Sequence, residues 1–215
     1  SPPIASQLSR CDKTTKKRPD IQGLRGISII AVILFHINKK LCPRGFLGVD
    51  IFFVISGFLI SSILTREPFL TTISISHFYS RRFTRIVPLY VLTLLITLAF
   101  AIWILAPLDL REVIHSTKWA AIFAKNIQQI LELGDYWTQA SEFAPLLHSW
   151  SLSVEVQFYL FAPLLQYLIS SIQGAQLRLV FTLAITSASL FHYGFPNGSS
   201  RFFSLPCRLW QFTTG

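Results

Sequence analysis

Residues 46–64 read FLGVDIFFVISGFLISSIL and contain one charged residue, Asp50. A helix of about 20 mainly apolar residues crosses the hydrocarbon core of a bilayer. Four more windows follow the same pattern: 21–37, 86–106, 150–172 and 179–193. Across these windows the only charged residues are Arg25 and Glu155. We therefore predict an all-α fold, a polytopic transmembrane helical bundle, in a multi-pass integral membrane protein.

The composition excludes an ordinary soluble domain and a nucleic-acid-binding domain. Of the 215 residues, 52% are hydrophobic and 13% are charged, with a mean hydropathy of +0.51, whereas soluble domains carry about 25% charged residues. The formal net charge is +9, but the basic residues lie in a tail and in short loops between apolar windows. We expect the lipid bilayer as a partner and no nucleic acid.

Residues 1–20 are polar and basic and lack the apolar stretch of a signal peptide. We interpret them as a basic N-terminal tail, followed by a membrane domain over residues 21–215. The chain has no methionine and stops as a further apolar segment begins, so we expect it to be the N-terminal part of a longer protein. Three scattered cysteines, Cys11, Cys42 and Cys207, are typical of free thiols, not of a disulfide framework or a metal site.

The distribution of basic residues predicts the orientation in the membrane. If the first two windows both span, the tail and the second loop share a side and carry nine Lys and Arg residues, against three in the first loop. The positive-inside rule then places the N-terminus in the cytoplasm. Residues 111–133 mix apolar with charged residues and leave three alternatives open: a span, an interfacial segment or the lining of a polar cavity. Sidedness beyond them is open, and the glycosylation sequence at 197–199 matters only if it is lumenal.

Charged side chains inside a bilayer are costly and generally have a partner or a function. Arg25 and His36 are eleven residues apart, which at about 100° per residue places them on one helical face, about 16 Å apart along the axis. A histidine can act as a general base on a hydroxyl near neutral pH. The alternative is a His36 that lies at the far interface and is hydrogen-bonded to a carbonyl group.

A second polar group begins the window at 150–172. His148 and Glu155 are seven residues apart and share a helical face, and Glu155 needs a partner or a proton. Ser149, Ser151 and Ser153 line the same helix start with hydroxyls. The alternative for this segment is an interfacial tryptophan anchor combined with a helix N-cap.

Two further features involve charge at the edges of the windows. Arg82 and Arg85 are one turn apart and form a possible phosphate clamp, although topology-setting charge or a lipid headgroup contact is the more usual role of such residues. Asp50 lies beside glycines that allow close helix packing. It needs an internal donor, and either Arg25 or His36 would serve.

Four blocks of the chain resemble membrane acyltransferase family 3, which includes bacterial O-antigen and peptidoglycan O-acetyltransferases and animal proteins of the nose-resistant-to-fluoxetine type. The blocks are RPDIQGLRGISIIAVILFH (18–36), GFLGVDIFFVISGFLISSIL (45–64), FYSRRFTRIVPLY (78–90) and PLLHSWSLSVEVQFYLFAPLL (145–165). The resemblance implies a domain of roughly ten spanning helices, of which this chain holds about five to seven. It also implies transfer of an acyl group, commonly acetyl, from acyl-CoA on the cytoplasmic side to an acceptor hydroxyl, often on a carbohydrate. No permanently bound cofactor is expected.

The family motifs carry over to particular residues of this chain. The Arg-x10-His motif falls on Arg25 and His36, and the Arg-x-x-Arg motif, which is thought to contact the phosphates of the donor, falls on Arg82 and Arg85. The block with Trp, Ser, Ser and Glu matches Trp150, Ser151, Ser153 and Glu155, and a final segment matches Arg208, Trp210 and Gly215. Two positions depart from the family, with Gln211 in place of a usual Glu and Val156 in place of a frequent second Glu.

The resulting hypothesis is a membrane O-acyltransferase with His36 as the general base, helped by Arg25 and Glu155. Arg82 and Arg85 would bind the acyl-CoA donor, and the acceptor is a carbohydrate or a lipid. The supporting polar interior consists of Asp50, His148, Ser151, Ser153 and Arg208. The rival hypothesis is a transporter or a non-catalytic scaffold, in which the buried Arg, Asp, His and Glu residues form an ion or proton path.

Overall fold

The computed structural model describes residues 18–65, 71–133, 146–194 and 202–215, and these residues are helical apart from short connections. In chain order the elements are α1 (Pro19–Ile37), α2 (Leu47–Leu64), α3 (Thr72–Ile104), α4 (Pro107–Ala121), α5 (Lys125–Gln128), a π-helix (Gln129–Leu133), α6 (Ser149–Ser171), α7 (Ala175–Gly194) and α8 (Leu205–Thr214). The predicted all-α fold class is confirmed. The chain divides into two compact units, Ser1–Gly48 and Val49–Gly215.

Four of the described helices, α1, α2, α3 and α6, are long and apolar enough to cross a membrane by length and composition. They contain four of the five predicted windows apart from at most two residues at a window end. The fifth window, 179–193, forms part of α7, which does not reach the same apolar character. Gln176, Arg178 and His192 lower the hydropathy of α7, so the fifth predicted window lies in a helix outside these four.

The surface of α3 indicates contact with lipid. Leu89, Leu92, Leu95, Phe100 and Trp103 all lie on α3, and each exposes more than half of its surface. A contiguous apolar surface of this kind is unfavourable in water and marks a surface that contacts a membrane or another protein. Its extent along a 33-residue helix fits a helix that faces the hydrocarbon core.

Glycines allow a close backbone approach within the first unit. A Cβ added at Gly45 would lie 2.2 Å from the carbonyl oxygen of Ala31, and one added at Gly48 would lie 2.5 Å from that of Ser28. The chain after α1 therefore folds back against the helix at distances that exclude any side chain. The prediction that these glycines permit close packing is confirmed.

Aromatic side chains fill the core of the second unit. The ring of Phe158 in α6 stacks on that of Phe212 in α8, with 4.0 Å between ring centroids, and Phe53 of α2 packs on Phe212 at 4.9 Å. Gly57 of α2 lets α8 approach, since a Cβ there would lie 2.1 Å from the carbonyl oxygen of Phe212. The short helix α8 is thus held against α2 and α6.

The segment 111–133 does not form a single span. Helix α4 ends at Ala121, and Phe123 adopts a left-handed backbone conformation with φ of 53°. The chain then continues into the short helix α5 and the π-helix, where Lys125 is 1% exposed. Of the three alternatives, the span is therefore wrong, because a left-handed residue interrupts the helix.

Some predictions lie outside the described residues. They concern the basic tail up to residue 17, residues 66–70 of the second loop and the glycosylation sequence at 197–199. At the other end of the tail, α1 begins at Pro19, within the stretch of residues 1–20 that the sequence assigns to the tail.

We predict that Gly57→Ala lowers the thermal stability of the detergent-solubilised protein. The new methyl group would overpack α2 against α8, at a cost of about 1–3 kcal/mol, which corresponds to about 2–12 °C in the midpoint. The matched control is Gly26→Ala on α1, where no atom lies within 4 Å of the added Cβ. Thermal midpoints of both variants measured by size-exclusion chromatography after heating check the prediction, and equal midpoints would contradict it.

Candidate active site

A buried ion pair joins α2 to α8. Nη1 of Arg208 donates to Oδ1 of Asp50 at 2.9 Å, and Nε of Arg208 donates to the carbonyl oxygen of Phe202 at 3.0 Å. The Arg208 side chain is 1% exposed and that of Asp50 is 26% exposed. The sequence predicts Arg25 or His36 as the donor to Asp50, whereas the structure supplies Arg208. A residue far along the chain therefore provides the counter-charge.

Aromatic rings surround the guanidinium of Arg208. The distances from its Cζ to the ring centroids are 4.2 Å for Phe202, 5.1 Å for Tyr193 and 5.5 Å for Trp150. Cation–π contacts of this kind gain strength where water is excluded. Arg208 thus ties α6, α7 and α8 together as well as neutralising Asp50.

Gln211 lies beside this ion pair. It is fully buried, and neither of its amide atoms makes a hydrogen bond of good geometry within the described part of the chain. Its amide nevertheless lies close enough to the Asp50 carboxylate to interact with it. A glutamate at this position would place a second negative charge next to Asp50, so the neutral glutamine leaves Arg208 with one carboxylate to balance.

A second polar cluster surrounds Glu155 in α6. The hydroxyls of Ser56, from α2, and Tyr159, one turn further along α6, both donate to Oε1 of Glu155. Ser56 and Tyr159 are buried, and Glu155 is half-buried. Glu155 therefore has the partners that the sequence indicates it needs, and they are two hydroxyl groups that are not among the predicted site residues.

Arg82 and Arg85 have different surroundings although they lie one turn apart on α3. Arg82 is half-buried, and its Cζ lies 5.5 Å from the ring centroid of Tyr159 and 5.9 Å from that of Phe78. Arg85 is exposed. Arg82 therefore belongs to the Glu155 cluster, whereas Arg85 lies on the exposed side of α3.

A cavity is lined by residues of α2, α6, α7 and the end of α8. Its volume is about 230 Å³, and its walls include Gly57 and Phe158, the chain neighbours of Ser56 and Tyr159. Its other walls are mainly apolar side chains of α2 and α6, together with hydroxyl and amide groups such as those of Ser61 and Gln166. Ser56, Glu155 and Tyr159 themselves do not line this cavity.

The start of α6 does not match the interpretation as an N-cap with an interfacial tryptophan anchor. His148 occupies the N-cap position without a side-chain capping bond, and it is exposed. The hydroxyls of Ser149 and Ser151 donate to the preceding carbonyl oxygens of Leu146, at 2.8 Å, and His148, at 3.2 Å. Trp150 is buried in the aromatic core and does not anchor the helix at an interface. The interpretation as an N-cap with an interfacial anchor is therefore wrong.

Ser153 joins α6 to the break that follows α4. It is fully buried, accepts a hydrogen bond from the backbone N–H of Lys125 at 3.3 Å, and donates to the carbonyl oxygen of Ser149 at 3.0 Å. Nζ of Lys125 donates to Ser116 at 2.8 Å and to Gln128 at 2.7 Å. A buried lysine is thus held by neighbouring side-chain oxygens inside the second unit.

A pair of amides supports the same break. Nε2 of Gln157 donates to Oδ1 of Asn126 at 2.8 Å, and Nδ2 of Asn126 donates back to Oε1 of Gln157 at 3.0 Å. Nε2 of Gln157 also donates to the carbonyl oxygen of Phe123 at 3.0 Å. The ring of Phe123 stacks on Tyr90, with 4.9 Å between centroids. These contacts offset the cost of the left-handed backbone at Phe123, which is about 1–2 kcal/mol.

Arg25 and His36 belong to the first unit and lie on α1, which is continuous between them. Arg25 is half-buried and His36 is exposed. Nδ1 of His36 lies 2.7 Å from the carbonyl oxygen of Val32. Because a carbonyl oxygen only accepts, Nδ1 carries the hydrogen, and Nε2 of the neutral ring carries the lone pair. The hydrogen bond to a carbonyl group, which is one part of the alternative for His36, is thus present in the structure.

The sequence of the chain matches the family described as "Acyltransferase domain" over residues 18–215. This chain belongs to that acyltransferase family. The match includes every residue of the two clusters and of the Arg25 and His36 pair. The family resemblance that the four sequence blocks indicate is therefore confirmed.

Similar proteins in Staphylococcus aureus carry related names. The chain is 39% identical over 154 residues to "Putative O-acetyltransferase SAS0844" of strain MSSA476, a match that covers 71% of this chain and 25% of the relative. It is 37% identical over 147 residues to "O-acetyltransferase OatA" of strain NCTC 8325, which covers 68% of this chain and 24% of the relative. The chain thus spans about a quarter of the length of these relatives. No solved structure matches it.

In this acyltransferase domain, we predict that Gln157→Leu destabilises the second unit. The leucine would leave the carbonyl of Phe123 and the amide of Asn126 without these hydrogen bonds, at about 1–3 kcal/mol for each buried group. Gln166→Leu is a matched control on the same helix, since among the described residues the Gln166 amide makes one long contact, 3.4 Å, to Thr65. Thermal midpoints in detergent give the comparison. A midpoint of Gln157→Leu equal to that of the control would show that the amide pair does not support the break.

Proposed function

We propose that the protein containing this chain is an integral membrane O-acyltransferase that moves an acetyl group from acetyl-CoA to a hydroxyl of a carbohydrate or lipid acceptor. The observation that carries the proposal is the meeting of Arg82 and Glu155 at Tyr159. These two motif residues come from different helices, and they would place a donor-binding cation and a carboxylate against one tyrosine side chain. The names of the staphylococcal relatives support acetyl as the acyl group.

His36 is the general base of the proposed reaction. Its Nε2 lone pair would accept the proton of the acceptor hydroxyl as the hydroxyl oxygen attacks the thioester carbon. General base catalysis of this kind contributes about 10²- to 10⁴-fold in rate. Arg25, on the same helix, would stabilise the negative charge that develops on the thioester oxygen or orient the donor.

The arginines of α3 bind the donor in this proposal. Guanidinium groups bind phosphate oxygens through paired N–H donors, so Arg82 and the exposed Arg85 would hold the phosphates of acetyl-CoA. Glu155 completes the polar interior, while the predicted interior residue His148 is exposed at the start of the same helix. Surrounding apolar helices exclude water, which protects the thioester from hydrolysis and strengthens the electrostatic contacts.

His36→Gln should abolish acetyl transfer without changing the amount of protein in the membrane. Membranes with the full-length protein or a variant receive labelled acetyl-CoA, and the label is counted in extracted glycan and lipid fractions. His77→Gln is the control, because His77 is an exposed histidine of α3 outside the proposed site. Label that appears with the wild type and the control but is lost with His36→Gln supports the enzyme. Transfer that is independent of His36 would contradict the base assignment, and no transfer by the wild type would favour a transporter or scaffold.

The proposal also places the N-terminus in the cytoplasm. Cys42, in the connection between α1 and α2, then faces the opposite side of the membrane from Cys11 in the tail. In variants that retain only one of these cysteines, a membrane-impermeant maleimide should label Cys42 in intact cells and Cys11 only after permeabilisation. Labelling of Cys11 alone in intact cells would reverse the assigned orientation.

A further inference from the structure

We infer that Tyr159 is a positioning residue of the proposed acyl transfer and links the guanidinium of Arg82 to the carboxylate of Glu155. Ser56 is a second positioning residue that fixes the same carboxylate. The inference rests on the proposed function, because it assigns a role to Arg82 and Glu155 that only an acyl-CoA enzyme needs. Neither Ser56 nor Tyr159 is among the site candidates that the sequence suggests.

The hydroxyl of Tyr159 acts on the carboxylate. It donates to Oε1 of Glu155, and the hydroxyl of Ser56 donates to the same oxygen. Each hydroxyl has a single proton, so both protons are committed to Glu155. Hydrogen bonds to an ionised oxygen are roughly twice as strong as neutral ones. Because Ser56 comes from α2 and Tyr159 from α6, the carboxylate is held from two helices and has a fixed direction.

The ring of Tyr159 acts on the cation. Cζ of Arg82 lies 5.5 Å from the ring centroid, within the range of about 6 Å for a cation–π contact. This contact uses the face of the ring, while the hydroxyl lies at its edge, so one side chain can hold both charges at once. Hydrogen-bonded groups polarise one another in a low-dielectric interior, and a phenol that donates to a carboxylate has a more electron-rich ring. The two contacts therefore reinforce each other.

Tyr159 couples the Arg82 guanidinium to the Glu155 carboxylate. Arg82 would contact the donor phosphates, and Glu155 would face the reacting groups. With Tyr159 between them, a shift of the Arg82 guanidinium changes the environment of the ring that orients Glu155. Donor binding and the direction of the carboxylate are thereby coupled through one residue.

Two substitutions of Tyr159 separate its hydroxyl from its ring. Acetyl transfer is measured at varied acetyl-CoA concentration in membranes containing the full-length protein, with the amount of each variant measured through a tag. Tyr159→Phe should lower kcat about 10- to 100-fold, the usual effect of losing a hydrogen bond to a charged group, with little change in the KM for acetyl-CoA. Tyr159→Leu also removes the ring and should raise that KM about 2- to 10-fold. Tyr167→Phe is the control, since Tyr167 is an exposed tyrosine two turns further along α6.

A double substitution tests whether the hydroxyl acts through Glu155. Glu155→Gln alone should lower kcat, and Tyr159→Phe added to it should lower kcat no further, because the hydroxyl no longer has an ionised partner. Ser56→Ala should behave like Tyr159→Phe, with kcat reduced and KM retained. A structural role of Tyr159 in packing alone would give independent, multiplicative losses in the double variant.

The outcomes separate this inference from the proposed function. Transfer by the wild type together with a normal kcat for Tyr159→Phe would overturn the inference and leave the acyltransferase proposal in place. Multiplicative losses in the double variant would overturn it as well. Absence of transfer by the wild type would overturn the proposed function first, and the inference with it.

Discussion

A guanidinium buried among apolar helices needs a counter-charge within reach, and the position of α8 follows from this requirement. Arg208 is 1% exposed and finds its counter-charge in Asp50 of α2. Removing one partner of a buried pair leaves an uncompensated charge, at about 3–5 kcal/mol. The aromatic rings that cover Arg208 belong to the same core as Phe212, so the ion pair and the aromatic packing hold α8 in one place. That place brings Gln211 next to Asp50 and the end of α8 against Gly57.

The same requirement for buried polar groups to be paired explains the rest of the interior. Where α4 ends, the backbone turns through Phe123, and side chains of α5 and α6 supply the hydrogen bonds that a continuous helix would have supplied. Around Glu155, hydroxyls from two helices donate hydrogen bonds to the carboxylate. Charged groups inside a membrane are generally functional, and in the second unit they form connected clusters. The proposed chemistry uses one of them, the cluster of Arg82, Tyr159 and Glu155.

The sequence predicts those features that depend on local composition. Windows almost free of charge became α1, α2, α3 and α6, and the isolated Glu155 correctly indicated a need for partners. Tyr159 follows Glu155 by one helical turn, so helical spacing alone could have predicted their contact. The partner of Asp50 could not be predicted, because Arg208 lies in a short helix 158 positions away. Hydropathy alone does not connect that helix to α2. The helix break at Phe123 could not be predicted either, since composition does not indicate a left-handed phenylalanine. This conformation is stabilised by contacts with Gln157 and Tyr90.

The central claim is that Arg208 can be buried because Asp50 balances its charge. A double-mutant cycle in detergent tests it most directly, with thermal midpoints of the wild type, Asp50→Asn, Arg208→Gln and the double variant. The account predicts that each single variant is clearly less stable than the wild type and that the double variant loses much less than the sum of the two, because no unpaired charge remains. Losses that simply add would show that the two side chains are stabilised independently and would contradict the account.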